Sequence, residues 1–167
     1  MAVFGEFGDW TYEVFGRNTP ASEFGPFESF VDLWRSRWTG DALPAWRDFA
    51  FEDFAEWYGW LFVEDVIPGG DGDVRFRLWG TSIVNLYDYE MTGKLMSEAE
   101  PGFFDPPEFE LTSKIVDEGV IVRGTGSINW QNRGHKSISH IELPLSEDGK
   151  TIDKILGALQ DLTPEAG

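Results

Sequence analysis

Proton transfer is the first chemistry that the side chains of this sequence suggest, because the chain contains two histidines. His135 follows a predicted turn and is interpreted as a solvated surface residue. His140 lies in the middle of a predicted strand, where a buried and hydrogen-bonded histidine is expected. Only Glu142 and Asp161 are placed to act with His140 as an acid–base pair. The sequence therefore offers one centre for proton transfer, at His140.

Other acidic residues are adjacent to one another in the sequence and form poor catalytic pairs. Adjacent side chains point to opposite faces of a strand and diverge on a helix, so these acids are predicted to lie on a solvated surface. No calcium loop, nucleophile elbow or phosphate-binding loop is present in the sequence. We therefore expect no metal site and no assigned catalytic residue. The adjacent pairs are Glu52 and Asp53, Glu64 and Asp65, and Asp117 and Glu118.

Composition narrows the classes of partner and cofactor. Thirteen Lys and Arg residues against thirty Asp and Glu residues give a formal net charge of −17, which repels nucleic acid and anionic membranes. The absence of cysteine excludes disulfides, cysteine-bound zinc and cysteinyl flavin photochemistry. The start of the sequence lacks the features of a signal peptide, and residues 60–63 form the longest apolar run, so a cytoplasmic protein without a membrane span is expected.

Residues 1–42 are predicted to form a loosely ordered arm followed by an amphipathic helix. The helix is predicted over residues 23–38, where large apolar residues recur at intervals of three and four. Such a face must pack either on its own domain or on a second subunit. We predict that it forms the interface of a homodimer. The interface residues are Phe27, Phe30, Val31, Trp34 and Trp38.

Residues 43–164 are predicted to form an α+β domain. Two strands flank the turn "PGGDGD", a short helix follows Gly80, a longer helix ends near Gly119, and three strands joined by tight turns complete the chain. This order predicts a five-stranded antiparallel sheet with the short helices and the longer crossover helix on one face.

Two segments carry a resemblance to a known family. The stretches "RFRLWGTSIVNLYDYEMTGK" and "IELPLSEDGKTIDKILGAL", in this order of elements, resemble the PAS sensory fold, and in particular bacterial single-domain PAS-like proteins of unknown function. The resemblance covers about residues 43–162, and its motifs are structural. Asp88 departs from the pattern, because such sequences often carry glycine there. The matching residues are Arg77, Gly80, Thr92, Gly93, Leu143, Pro144, Leu145, Asp148 and Gly149.

The resemblance implies a pocket between the sheet and the crossover helices. Related haem sensors take an iron ligand from the crossover helix, but no histidine is present there, which argues against haem. Non-covalent flavin would need polar groups such as Asn129, Gln131 and Asn132, and we do not expect it. The pocket candidates are Tyr87, Leu111, Ile115, Ile128, Trp130 and His140, although each of these could equally be ordinary core.

Two functions follow as expectations. The resemblance implies a non-enzymatic sensory module in signalling that binds a small apolar ligand or a protein and passes its output to a separate partner protein. The alternative is a small α+β enzyme of the isomerase or hydratase type acting on a hydrophobic molecule, with His140 in its pocket.

Overall fold

The computed structural model describes residues 2–104, 107–129 and 135–164. These residues contain seven strands, three α-helices and four short 3₁₀ helices. The strands are β1 (Ala2–Phe7), β2 (Trp10–Phe15), β3 (Leu61–Val66), β4 (Val74–Trp79), β5 (Ile121–Asn129), β6 (His135–Leu145) and β7 (Lys154–Asp161). The α-helices are α1 (Glu28–Ser36), α2 (Thr81–Tyr87) and α3 (Pro107–Glu118). The 3₁₀ helices are Ala21–Phe27, Trp46–Asp48, Phe51–Trp57 and Met96–Glu98.

All seven strands join one antiparallel sheet in the order β1-β2-β5-β6-β7-β3-β4. The predicted antiparallel sheet is confirmed: two strands, a helical crossover and three consecutive strands make up its β5-β6-β7-β3-β4 part. The predicted count of five strands is wrong. The first residues are not a loose arm but a hairpin, β1 and β2, which extends the sheet at β5. Glycines between short apolar runs conceal this hairpin in the sequence.

The predicted helix over residues 23–38 is also shorter than expected. Residues Ala21–Phe27 form a 3₁₀ helix with Gly25 at φ 55°, and α1 begins only at Glu28. Pro26 explains the difference, because proline lacks an amide hydrogen and disfavours helical backbone at the residue before it. The apolar spacing therefore predicted the correct face but not the correct helix start.

One face of the sheet is covered by residues 21–57, and this corrects the predicted dimer interface. Phe27, Phe30, Val31 and Trp34 are fully buried in the chain's own core, and Trp38 packs against the same cluster. They contact sheet residues such as Ile141, Leu143 and Leu156. The indole Nε1 of Trp34 donates a hydrogen bond to the Pro144 carbonyl at 3.0 Å. This apolar face is therefore not available to a second subunit, and the homodimer stays a prediction without it.

The crossover between β4 and β5 covers the opposite face. Residues from α2, from the Met96–Glu98 turn and from α3 pack on apolar residues of β3, β4, β6 and β7 in two clusters. Asp88 ends α2 with φ 54° and ψ 39°, and its amide donates to the Val84 carbonyl at 2.7 Å. Aspartate tolerates this left-handed conformation, so the expected turn forms without glycine.

Candidate functional site

A cavity of about 790 Å³ lies between the second face of the sheet and the crossover segments. Its size is within the range of small-molecule sites. Strands β2 to β7 supply its floor, and α2, α3 and the segment between them supply its roof. The lining combines a large aromatic wall with several acidic side chains. The aromatic residues of the lining are Trp10, Tyr12, Phe62, Phe76, Trp79, Tyr87, Tyr89, Phe103 and Phe104.

Two glycines of β5 make room for the floor of the cavity. Gly124 pairs with His140, and a Cβ atom at Gly124 would collide with the imidazole ring. A Cβ atom at Gly126 would likewise collide with the indole ring of Trp10. These positions need glycine because a neighbouring ring occupies the space that a Cβ atom would take, which is a common reason for glycine within a strand.

The aromatic wall is held in place by hydrogen bonds and ring contacts. Trp10 Nε1 donates to the Ser127 carbonyl at 3.1 Å, and Trp79 Nε1 donates to the Tyr89 carbonyl at 3.0 Å. Phe76 stacks on Phe104 with ring centroids 5.7 Å apart. Because the indole N–H groups are bonded to backbone, both tryptophans present their ring surfaces as part of the lining.

Three glutamates converge on one end of the cavity. Glu64 comes from β3, Glu142 from β6 and Glu108 from the first turn of α3. Glu64 and Glu142 are only 3% and 4% exposed, yet Oε2 of each is buried without a hydrogen-bond partner. Buried carboxylate oxygens normally have donors, so these two side chains are the clearest departure from a satisfied core.

Burial and mutual repulsion change the protonation of this cluster. Loss of solvent, followed by the charge of Glu108, raises the pKa of Glu64 from 4.5 to about 8. Burial also raises the pKa of Glu142 well above its ordinary value, and Glu64 and Glu108 add to that effect. A carboxyl group whose charged form is not solvated holds its proton more tightly. Near neutral pH, the ligand-free cluster therefore carries bound protons.

His140 and Tyr12 border the same cluster. His140 is 8% exposed, and burial lowers the pKa of its imidazole from 6.5 to about 4, so the ring is neutral near pH 7. Its Nδ1 lies 3.7 Å from Glu142 Oε1, and its Nε2 lies 3.9 Å from Glu108 Oε1. The Tyr12 hydroxyl donates to Glu108 Oε1 at 3.2 Å. The cluster can therefore bind and move protons, but no cationic side chain lines the described cavity.

The structure places three of the six predicted pocket residues on the cavity wall. Tyr87, Ile128 and His140 line it. Leu111 and Ile115 are fully buried between α3 and the sheet, where they act as core. Trp130 lies outside the described residues, as do Gln131, Asn132 and the side chain of Asn129, which were weighed as flavin contacts.

The sequence interpretation was wrong about Glu64 and Asp161. Glu64 was expected on a solvated surface, but it lies inside the cavity. The alternation of β3 carried a signal, because Glu64 is two residues from the inward-facing Phe62. Asp161 is not part of the His140 cluster: it accepts a hydrogen bond from Lys136 Nζ at 2.8 Å. His135 is exposed, as expected.

The contributions of Trp10, Tyr12 and Glu108 were missed for a different reason. Trp10 and Tyr12 reach the cavity only because β2 pairs with β5, for example through Tyr12 and Gly124. Glu108 reaches it only because α3 packs across the sheet. Neither the pairing of β2 with β5 nor the packing of α3 on the sheet can be recognised from the residues next to these positions in the sequence.

Two kinds of site were searched for across the described part of the chain. No group of three or more His, Asp or Glu side chains there is arranged to hold a metal ion. No helix in the same residues is both long and apolar enough to cross a membrane.

Comparisons with known proteins give little further identification. No family model and no curated protein matches the chain. A solved structure of an RNA-binding light-oxygen-voltage receptor aligns with 62% of this chain at 16% identity and a TM-score of 0.47. The alignment spans only 29% of that receptor's length. We infer no ligand, residue role or partner of this chain from that likeness.

Proposed function

We propose that this chain is a non-enzymatic, PAS-like sensory module that binds a small molecule in the aromatic cavity. The observation that carries the proposal is the cavity of about 790 Å³ between the sheet and the crossover. The PAS resemblance implies a pocket in this location. Fixed aromatic rings with a few converging polar groups are the usual composition of small-molecule sites.

The crossover is the proposed route from ligand to output. Tyr87, Tyr89, Phe103 and Phe104 belong to crossover segments and also line the cavity. A ligand that contacts them in one arrangement and not in another would shift the population of crossover conformations. We propose that a separate partner protein reads this change, and that any homodimer forms through a surface other than the buried face of α1.

The described lining is a poor fit for a flavin nucleotide or haem. A flavin nucleotide carries phosphate, and the lining offers carboxylates but neither lysine nor arginine to bind it. Haem needs an axial ligand, and the crossover helix α3 contains no histidine. The ligand that we propose is therefore neither of these groups.

Ligand-observed NMR with a library of small apolar and amphiphilic compounds tests the proposal. The Ile128→Trp variant fills the cavity from its wall, and Leu162→Trp adds the same side chain at a position that is 38% exposed and outside the lining. We expect a subset of compounds to bind wild type and Leu162→Trp but not Ile128→Trp. Binding that survives Ile128→Trp, or no binding by any compound, would contradict a ligand in this cavity.

A second candidate function is favoured by the cluster of proton-binding groups. Buried carboxyl groups with raised pKa beside a neutral histidine are typical of general acid–base sites. The candidate is an isomerase or hydratase acting on a hydrophobic molecule. It predicts that an enolisable aryl-alkyl ketone, such as 4-phenylbutan-2-one, exchanges its α-hydrogens with deuterium oxide faster with wild type than with Glu142→Gln. Equal exchange rates with both proteins would exclude that reaction for this ketone.

A further inference from the structure

We propose that the ligand of this cavity is an organic cation, with an ammonium or amidinium head bound by Glu64, Glu108 and Glu142 and an apolar body held by the aromatic wall. This inference rests on the proposed function, because it assigns a chemical class to the ligand of the same cavity.

Among the described residues, no lysine or arginine contacts the buried carboxyl groups of Glu64 and Glu142. Strand β3, strand β6 and helix α3 each direct one glutamate to the same end of the cavity, and no lysine or arginine is among the described lining residues. Other half-buried acids of the chain do have cationic partners: Lys136 pairs with Asp161 and Arg123 with Glu13. Glu64 and Glu142, two buried acids that no described lysine or arginine contacts, leave a place for a positive charge supplied from outside.

The unpartnered oxygens show where donors are needed. Oε2 of Glu64 and Oε2 of Glu142 are buried and accept no hydrogen bond. An ammonium group offers three N–H donors and an amidinium group offers four, with no acceptor to be left unsatisfied. A neutral alcohol has one donor only, and an anion would be repelled by each of these glutamates that is ionised. A cationic head group therefore best supplies the hydrogen-bond donors that these two carboxylate oxygens lack.

The rest of the cavity suits the remainder of such a ligand. Ring faces attract cations, and Trp, the best partner for a cation, occurs twice in the lining as Trp10 and Trp79. Phe62, Phe76 and Phe104 offer apolar surface for a body of aromatic or aliphatic carbon. Charge at one end and rings along the wall predict an amphiphilic cation and not a bare metal ion, in line with the lack of metal-ligand geometry among the described residues.

Binding of a cation should displace protons from the cluster. The ionisable groups among the described lining residues are Tyr12 of β2, Glu64 of β3, Tyr87 of α2, Asp88 and Tyr89 after α2, Glu100 before α3, Glu108 of α3, and His140 and Glu142 of β6. Because burial raises the pKa of Glu64 to about 8, the ligand must compete with its proton at neutral pH. Affinity for a permanently charged or protonated ligand should therefore rise with pH between about 6 and 8.

Matched triads of probes test the head-group preference by isothermal titration calorimetry. Each triad has one body, phenyl, naphthyl or indolyl, on a two-carbon chain that ends as an amine, an alcohol or a carboxylate. We expect the amine of a triad to bind at least tenfold more tightly than its alcohol and the carboxylate to bind weakest. If binding of the amine releases protons, the buffer takes them up. The apparent binding enthalpy should therefore differ between phosphate and HEPES, which are protonated with different enthalpies.

Three variants test whether the preference for amine over alcohol arises from the glutamate cluster. Glu64→Gln and Glu142→Gln keep the shape of the side chain and should reduce the preference for amine over alcohol to less than threefold. Glu52→Gln removes the same charge from an exposed position and should leave the preference unchanged. The pH dependence of amine affinity is measured on wild type. It therefore tests the proposal even if a variant fails to fold.

The outcomes separate this inference from the proposed function. An alcohol that binds as tightly as its amine, and is lost in Ile128→Trp, would overturn the cation and leave the small-molecule site intact. A carboxylate probe that binds more tightly than its amine would also overturn the proposal of a cationic ligand. If no probe binds, the cation inference fails for these bodies, and only a failure of the wider NMR library would also remove the proposed function.

Discussion

The Nδ1 atom of His140 lies 3.7 Å from Oε1 of Glu142, two residues along the same strand. This is a contact between two buried groups and not an ion pair, because burial lowers the pKa of His140 to about 4 and raises that of Glu142 well above its usual value. The histidine therefore does not neutralise the acids beside it. The buried carboxyl groups at this end of the cavity therefore need either bound protons or a ligand.

The first prediction concerns stability against pH. Glu64 holds its proton more tightly in the folded state, so its contribution is fully present below pH 4.5 and is lost as pH rises to about 8. Glu142 acts in the same direction. His140 acts oppositely, but its contribution is complete above pH 6.5. Between pH 6.5 and 8 the free energy of unfolding should therefore fall, by on the order of 1 kcal/mol per pH unit.

Urea unfolding at several pH values across this window measures the slope. The double variant Glu64→Gln with Glu142→Gln should show a flat profile and should be more stable than wild type at pH 8. Glu52→Gln is the matched control and should retain the slope of wild type. A wild-type profile that stays flat from pH 6.5 to 8 would show that these acids are already ionised in the folded protein.

The second prediction concerns the face of α1. Phe30 is fully buried in the core, whereas Phe51 is 57% exposed. Phe30→Ala should lower the free energy of unfolding by about 3 to 5 kcal/mol, and Phe51→Ala by less than about 1 kcal/mol. Chemical unfolding gives both values. If Phe30→Ala instead dissociates a dimer and leaves a stable monomer, the face of α1 is an interface after all.

The third prediction concerns the floor of the cavity. A Cβ atom at Gly124 would collide with the ring of His140, whereas a Cβ atom at Gly16 would meet only the Thr19 hydroxyl, at 4.0 Å. Gly124→Ala should therefore cost about 1 to 3 kcal/mol, as overpacked sites do, and should shift the NMR signals of the His140 ring. Gly16→Ala is the control with the same added methyl group. Unchanged His140 signals in Gly124→Ala would contradict the close approach of the two residues.

Patterns within short segments of the sequence predicted individual strands and the apolar face of a helix. The turn "PGGDGD" between two β-prone runs predicted β3 and β4, and the spacing of Phe27, Phe30 and Trp34 predicted the apolar face of α1. The same patterns could not decide whether that face meets its own sheet or another subunit, since both bury equal apolar area. The structure decides for the sheet, where Trp34 reaches the Pro144 carbonyl.

The site was harder to predict because its parts come from distant elements. His140 and Ile128 were named because the PAS resemblance implies a pocket on the inner face of the sheet. Glu64 was dismissed as one of many surface acids, since a count of thirty acidic residues hides the few that are buried. Tyr12 and Glu108, which are hydrogen-bonded to each other, are separated by 96 positions in the sequence. Only the assembled sheet brings them together.

The most direct test of a small molecule in this cavity is native mass spectrometry. The protein is measured as purified and after incubation with a small-molecule extract of cells, and its denatured mass is measured alongside. We expect wild type and Leu162→Trp to carry an added mass that is lost on denaturation, and Ile128→Trp to show the bare chain. Wild-type protein that shows only the mass of the bare chain under both conditions would contradict the account.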